Sequence, residues 1–112
     1  MFDIDVDVSP SHTICRPAGE LDAFTVGQLR ERVAELEGVT RLVLDLSGVP
    51  FMDSAGLGAL IGTIRSTRDA GGQVVVVAPH DDVRRLLHTA GFDRIVTVTG
   101  DVDTAVAELT AG

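Results

Sequence analysis

The chain has 112 residues, a net charge of −8 and a 45% hydrophobic content. That is the length of one domain with one core, and the hydrophobic share is too high for a disordered chain. The acidic balance argues against nucleic acid and against anionic membranes, since both repel such a surface. All nine basic residues are Arg, and all four aromatic residues are Phe.

From the N-terminus, Asp3 to Val8 alternates acid with aliphatic, the period of a strand with one wet face. No basic region followed by an apolar run precedes it, so a signal peptide is not expected. Ser9-Pro10-Ser11-His12 is a turn, and Thr13 to Ala18 returns as a second strand. Pro17 cannot donate to a ladder, so this strand should be irregular or at an edge there. The single cysteine, Cys15, lies in this strand. It excludes an internal disulfide and reads as a small buried hydrophobe of a reducing cytoplasm.

Gly19-Glu20-Leu21-Asp22 is a loop, and Thr25 is a plausible cap for the helix after it. Val26, Leu29, Val33 and Leu36 fall at helical spacing, and Gly38 can end that helix. Arg41 to Leu46 is a strand whose Leu42-Val43-Leu44 run implies burial on both faces. After a turn at 47–50, a second helix should start near Ser54, with Leu57, Leu60, Ile61 and Ile64 packed and Gly71-Gly72 as its stop.

Val74 to Ala78 is an almost all-Val strand. A third helix begins at Asp81 or Asp82, faces Val83, Leu86, Leu87 and Ala90 inward, and closes at Gly91. Ile95 to Val98 is the last strand, and Asp101 caps a final helix through Leu109. This β-β-α-β-α-β-α-β-α order predicts an α/β domain over 1–112. Its sheet is mixed and mostly parallel, of about four or five strands with about four helices packed on it.

Enzyme signatures are missing. Met52 stands where a nucleophile elbow around Ser54 needs Gly, and the absence of Lys excludes a Walker A loop and a Schiff-base lysine. His12, His80 and His88 lack metal-ligand spacing, and His88 reads as a solvated helix residue. Asp3, Asp5 and Asp7 lack the Gly and Glu of a calcium loop. No catalytic residue, metal or cofactor is expected.

The informative stretch is Phe51-Met52-Asp53-Ser54-Ala55-Gly56-Leu57-Gly58, where a buried strand meets an amphipathic helix. Asp-Ser is a common helix start, which a simple cap would explain. Gly56 and Gly58, however, each cost about 1 kcal/mol relative to Ala inside a helix. Their use in the opening turn suggests a close approach by another backbone. A helix N-terminus is also an anion site, so a phosphate on Ser54 could rest on the chain's own backbone.

Residues 52–58 resemble the D-S-[SA]-G-[LI]-G signature of anti-sigma factor antagonists, the STAS-domain family. The likeness runs along most of the chain. Gly19-Glu20-Leu21-Asp22 resembles the family's G-E-L-D loop, residues 42–46 the strand before the phosphoacceptor, and Gly71-Gly72 the turn after its helix. Residues 83–92 resemble the family's V-x-x-x-L-x-x-x-G-[FL] helix and turn. The resemblance implies that Ser54 is the phosphoacceptor and that Ala55, replacing a second Ser of some members, leaves it alone in that role. It implies an anti-sigma factor serine kinase as partner, bound by the unphosphorylated form and released by the phosphorylated one, and a PP2C-type phosphatase that resets the switch. Asp22, Asp53, Ala55, Gly56 and Gly58 are the expected partner-binding residues around it. Asp22 and Asp53 would add like-charge repulsion once Ser54 is phosphorylated, although both also fit ordinary turn or cap roles. Two other readings stand beside it: a clamp subunit of a transporter ATPase or stress-sensing assembly, which keeps the same fold without phospho-switching, and a small nucleotide-binding domain, for which the sequence offers no phosphate loop beyond the helix start at Ser54.

Overall fold

In the computed structural model, which describes residues 2–36 and 38–110, the hydrophobic pattern resolves into a five-stranded sheet. The strands are β1 (Asp3–Val8), β2 (Thr13–Ala18), β3 (Arg41–Asp45), β4 (Gln73–Val77) and β5 (Thr97–Thr99), in that spatial order. β1 and β2 form an antiparallel hairpin, and the remaining pairs are parallel. Each parallel step needs a crossover. α1 (Val26–Ala34), α2 (Ser54–Asp69) and α3 (Asp81–Thr89) supply them, and α4 (Val102–Thr110) follows β5.

The two faces of the sheet are covered unequally. Leu42, Leu44, Leu46, Val74, Val76 and Cys15 join the larger core with Val26 and Leu29 of α1, Leu60 and Ile64 of α2 and Val83 and Leu87 of α3. On the other face Ile14, Val43, Val75 and Val77 meet Ala105 and Leu109 of α4, with Val102 and Val106 packed against them. This explains why β3 and β4 read as continuous apolar runs while β1 alternates. In β1, Ile4 and Val6 pack on the larger core and the aspartates stand exposed.

A row of charge crosses the hairpin end of the second face. Arg16 Nη1 lies 3.3 Å from Asp5 Oδ2, and its Nε lies 3.4 Å from Asp45 Oδ2. Asp45 is buried, and its Oδ1 also accepts the N–H of Ser47 at 3.0 Å. A buried carboxylate needs such partners, because taking it out of water uncompensated costs several kcal/mol.

Several boundaries depart from the expectation. β2 is an interior strand. Its ladder to β3 stops at the Cys15–Leu44 pair, so the missing N–H of Pro17 falls where that ladder has already ended. α1 ends at Ala34, and Leu36 reaches the core from beyond it. Ala90 is exposed as the C-cap residue of α3 and does not face in. The segment from Phe92 to Arg94 is a short 3₁₀ turn, which pushes the last strand to Thr97–Thr99 and leaves Ile95 partly in solvent. Phe92 is fully buried there, and filling the core with its ring takes precedence over starting the strand early. Asp101 does cap α4: its Oδ1 accepts the Thr104 N–H at 2.7 Å, which holds its carboxyl below the usual range.

Cys15 is fully buried, and burial pushes its thiol up to about 11. At pH 8 in the native state it should therefore react with a thiol-labelling reagent no faster than the domain opens, and at full speed in denaturant; fast native labelling would contradict the burial. For the charge row, Arg16→Met should cost about 1–3 kcal/mol, less than a fully buried pair because Arg16 is partly solvated. Adding Asp45→Asn should recover most of that loss in denaturant melts, which a purely steric role of Arg16 would not allow.

Candidate functional site

Beyond their ladder, β2 and β3 continue side by side as two loops stitched at intervals. Ala18 pairs with Gly48 and Leu21 with Met52 in parallel bridges, so the β3 side gains one residue at each step. Gly19 N–H donates to Gly48 O at 2.8 Å and Leu21 N–H to Phe51 O at 3.0 Å. Asp53 N–H in turn donates to Leu21 O at 3.2 Å. The Leu21 side chain is fully buried and anchors the stitch. The stitched loops lie at the carboxyl ends of parallel strands, where open α/β sheets place their binding sites.

The chain turns into α2 at this point. Asp53 is the N-cap, with extended backbone, and its Oδ1 accepts the Gly56 N–H at 3.1 Å. Ser54 is the first helical residue and is exposed, and among the described residues no protein group bonds its Oγ. The capping role that Asp-Ser suggested thus belongs to Asp53 alone, and the Ser54 hydroxyl stays free.

The opposite loop is closed by its own side chains. Asp22 Oδ1 accepts the N–H groups of Phe24 at 2.9 Å and Thr25 at 3.2 Å. Thr25 Oγ1 donates to Glu20 O at 2.8 Å and accepts the Asp22 N–H at 3.0 Å. Thr25 sits at the cap position of α1 but gives no side-chain cap bond to the helix; its hydroxyl points back to close the turn. Both expected acids, Asp22 and Asp53, are therefore half-buried backbone acceptors on neighbouring stitched loops.

The two helical glycines differ. A Cβ on Gly56 would run into the Leu21 carbonyl, and Met52 Cβ would lie 3.1 Å away. The close backbone approach expected at Gly56 is made within the chain, and Gly56 is buried. Gly58 is exposed, and a Cβ there would meet nothing within 4 Å. Ala55 is half-buried beside Ser54 and packs against the larger core.

Two large apolar residues stand out on this rim that sequence reasoning passed over. Phe24 is 92% exposed on the Asp22 turn, and Phe51 is 51% exposed three residues before Ser54. Hydropathy alone assigns a Phe to the core; only the turn residues around Phe24 hinted otherwise. The histidines serve elsewhere. His80 Nε2 donates to Ser47 O at 2.6 Å, and His88 Nδ1 lies 2.8 Å from Asp93 Oδ2. The His88 bond holds the exposed Asp93 carboxyl below its usual range. Among the described residues no acid, His and Cys cluster could hold a metal, and no helix is long and apolar enough to cross a membrane.

Comparison with known proteins agrees with this geometry. A family model described as the STAS domain matches residues 3–105. An anti-sigma F factor antagonist of Paenibacillus polymyxa is 32% identical over 99 residues, 86% of this chain and 85% of that protein. An anti-sigma-B factor antagonist of Listeria monocytogenes is 32% identical over 83 residues, 72% of this chain and 73% of its own. The crystal structure of an anti-sigma factor antagonist from Mycobacterium paratuberculosis superposes with a TM-score of 0.84 at 26% identity, covering 97% of this chain and 94% of that one.

The local geometry separates four variants. Gly56→Ala should lose about 1–3 kcal/mol through the collision with Leu21, whereas Gly58→Ala should gain up to about 1 kcal/mol from helix propensity. Asp53→Ala should lose about 1 kcal/mol as a removed cap, and Ser54→Ala almost nothing. Chemical denaturation of the four proteins checks this; equal losses at Asp53 and Ser54 would reassign the cap.

Proposed function

The chain belongs to the STAS-domain family, among the anti-sigma factor antagonists, and from that premise we propose that it works as a phosphorylation-switched binding module acting in the cytoplasm. In this reading the unphosphorylated protein binds an anti-sigma factor serine kinase and so frees a sigma factor. Phosphorylation of Ser54 ends the contact, and a PP2C-type phosphatase restores it. The protein contributes no catalytic group of its own. In the transfer the Ser54 hydroxyl oxygen bonds to the γ-phosphorus of ATP, ADP leaves, and the proton passes to a base on the kinase.

The observation that carries the reading is the free, exposed hydroxyl of Ser54 at the first position of α2, on a rim that is acidic and holds no basic side chain nearby in sequence. Between Pro17 and Leu29, and between Leu42 and Ile64, there is no Arg, Lys or His, while Glu20, Asp22 and Asp53 all fall there. Phosphate would bring about −1.5 to −2 further charges. The Gly56 N–H already serves Asp53, so the opening turn of the helix offers the new group less than a vacant N-terminus would. The charge would therefore act at the surface, against the partner, with the fold intact. A loss of about 100-fold in affinity corresponds to about 2.7 kcal/mol, within reach of one misplaced charge at an interface centre. Ala55 and Gly58 flank the hydroxyl as small contact positions, and Gly56 contributes by seating the helix start.

The test is intact-mass analysis of the protein incubated with ATP and each purified anti-sigma kinase from the same genome, followed by calorimetric titration with ADP present. One kinase should add a single phosphate at Ser54. Ser54→Ala should bind that kinase like wild type and stay bound when ATP is added. Ser54→Asp should bind more weakly yet melt at nearly the same temperature, because Asp suits a helix start. If Ser54 never gains phosphate mass and all three proteins bind equally, the hydroxyl is no switch, and the clamp-subunit reading takes its place.

A further inference from the structure

The rim around Ser54 carries a second feature that a charge switch does not require. Of the four phenylalanines, Phe92 is fully buried and Phe2 packs against the core, but Phe24 and Phe51 project into solvent. They are the two aromatic rings the fold leaves unburied, and both belong to the stitched loops. Phe24 is held by its N–H bond to Asp22 Oδ1, and Phe51 by the bond its carbonyl accepts from Leu21. Their backbones are fixed before any partner arrives, and a phenyl ring has few rotamers to lose on docking. An exposed ring on a pinned turn, surrounded by small and acidic residues, has the make-up of an interface anchor.

We propose that Phe24 and Phe51 are the apolar anchors by which this rim docks on the anti-sigma kinase, each entering an apolar socket set within a basic surface. The basic character follows from charge complementarity: the rim segments present Glu20, Asp22 and Asp53 and no cation. The proposal rests on the functional reading above but assigns affinity and switching to different side chains. The rings hold the partner, and the Ser54 charge opposes it. Because Phe24 lies outside the acceptor turn, its contribution is independent of the state of Ser54.

The experiment titrates wild type, Phe24→Ser, Phe51→Ser, Ser54→Asp and the double variant Phe24→Ser/Ser54→Asp into each anti-sigma kinase of the same genome. Val8→Ser is the control for loss of an exposed apolar side chain. Val8 is 70% exposed at the far end of the sheet, opposite Thr13 in the hairpin. Phe24→Ser should weaken binding roughly 10- to 100-fold, the range of an aromatic anchor, with an unchanged melting temperature. The same factor should appear on the Ser54→Asp background. Phe51→Ser should act in the same direction, and Val8→Ser should not act at all. Raising salt should weaken every protein that binds while preserving the Phe24 ratio.

If Phe24→Ser and Phe51→Ser both stay within threefold of wild type on a kinase that Ser54→Asp binds poorly, the anchors are overturned and the switch survives. If the Phe variants fail and Ser54→Asp binds normally, the anchors stand and the switch falls. If no kinase binds wild type, both fall together, since each requires that partner.

Discussion

One carbonyl group organises this end of the molecule. The Leu21 oxygen accepts the Asp53 N–H, and Gly56 leaves the space that oxygen occupies. The first contact holds the loop after β2 against the loop after β3; the second sets how closely the first turn of α2 approaches both. Asp53 is fixed by its own N–H and so delivers its carboxylate to the Gly56 N–H. Ser54 follows as the next residue and inherits its direction from that cap. The position of the hydroxyl thus depends on a backbone contact between segments more than thirty residues apart in sequence. The buried Leu21 side chain keeps that contact in place.

The unequal faces of the sheet complement this arrangement. Three crossover helices lie on the face from which α2 begins, so the opening turn of α2 is backed by the larger core through Ala55, Leu57 and Ala59. The second face carries α4 over its middle and a charged row at the hairpin end, where Arg16 bridges Asp5 and Asp45. The more thickly covered side supports the opening turn of α2, and the wet side lets the hairpin end be solvated without exposing core.

Much of this was legible in the sequence because local pattern and tertiary demand agree. The acid–aliphatic alternation of β1, the doubly buried run of β3 and the Val run of β4 each have one sensible reading in a two-layer sheet. The helix start at Ser54 followed from Asp-Ser before an apolar stripe. What local pattern could not settle was which of two adjacent polar residues does the capping. Asp53 rather than Ser54 caps α2, and Asp22 rather than Thr25 organises the turn before α1. Those choices are made by the stitch between the loops, a contact distant in sequence. Gly56 signals a close backbone in the sequence, and in the fold that backbone is the chain's own Leu21. Ile95 looks apolar and is partly exposed, because Phe92 takes the core position and the 3₁₀ turn around it lifts Ile95 out, while Ala90 is exposed as the C-cap of α3. Exposure of Phe51 was invisible, and that of Phe24 only hinted at by its turn, for the converse reason: composition does not say which apolar residues a fold leaves unused.

The edges of the sheet have a consequence of their own. An open edge invites another strand, and a small sheet with two such edges risks pairing with its own copies. One edge here is β5, only three residues long, which is too short to template much pairing. The other is β1, whose exposed side chains are Asp3, Asp5, Asp7 and, at its end, Val8. A second β1 laid beside it would bring the carboxylates of both copies together, and Arg16 already engages Asp5 from within. The same aspartates that make the first strand look like a cation ladder thus act as a self-repelling border. Edge-to-edge growth from copy to copy is thereby disfavoured by charge and not by any covering element.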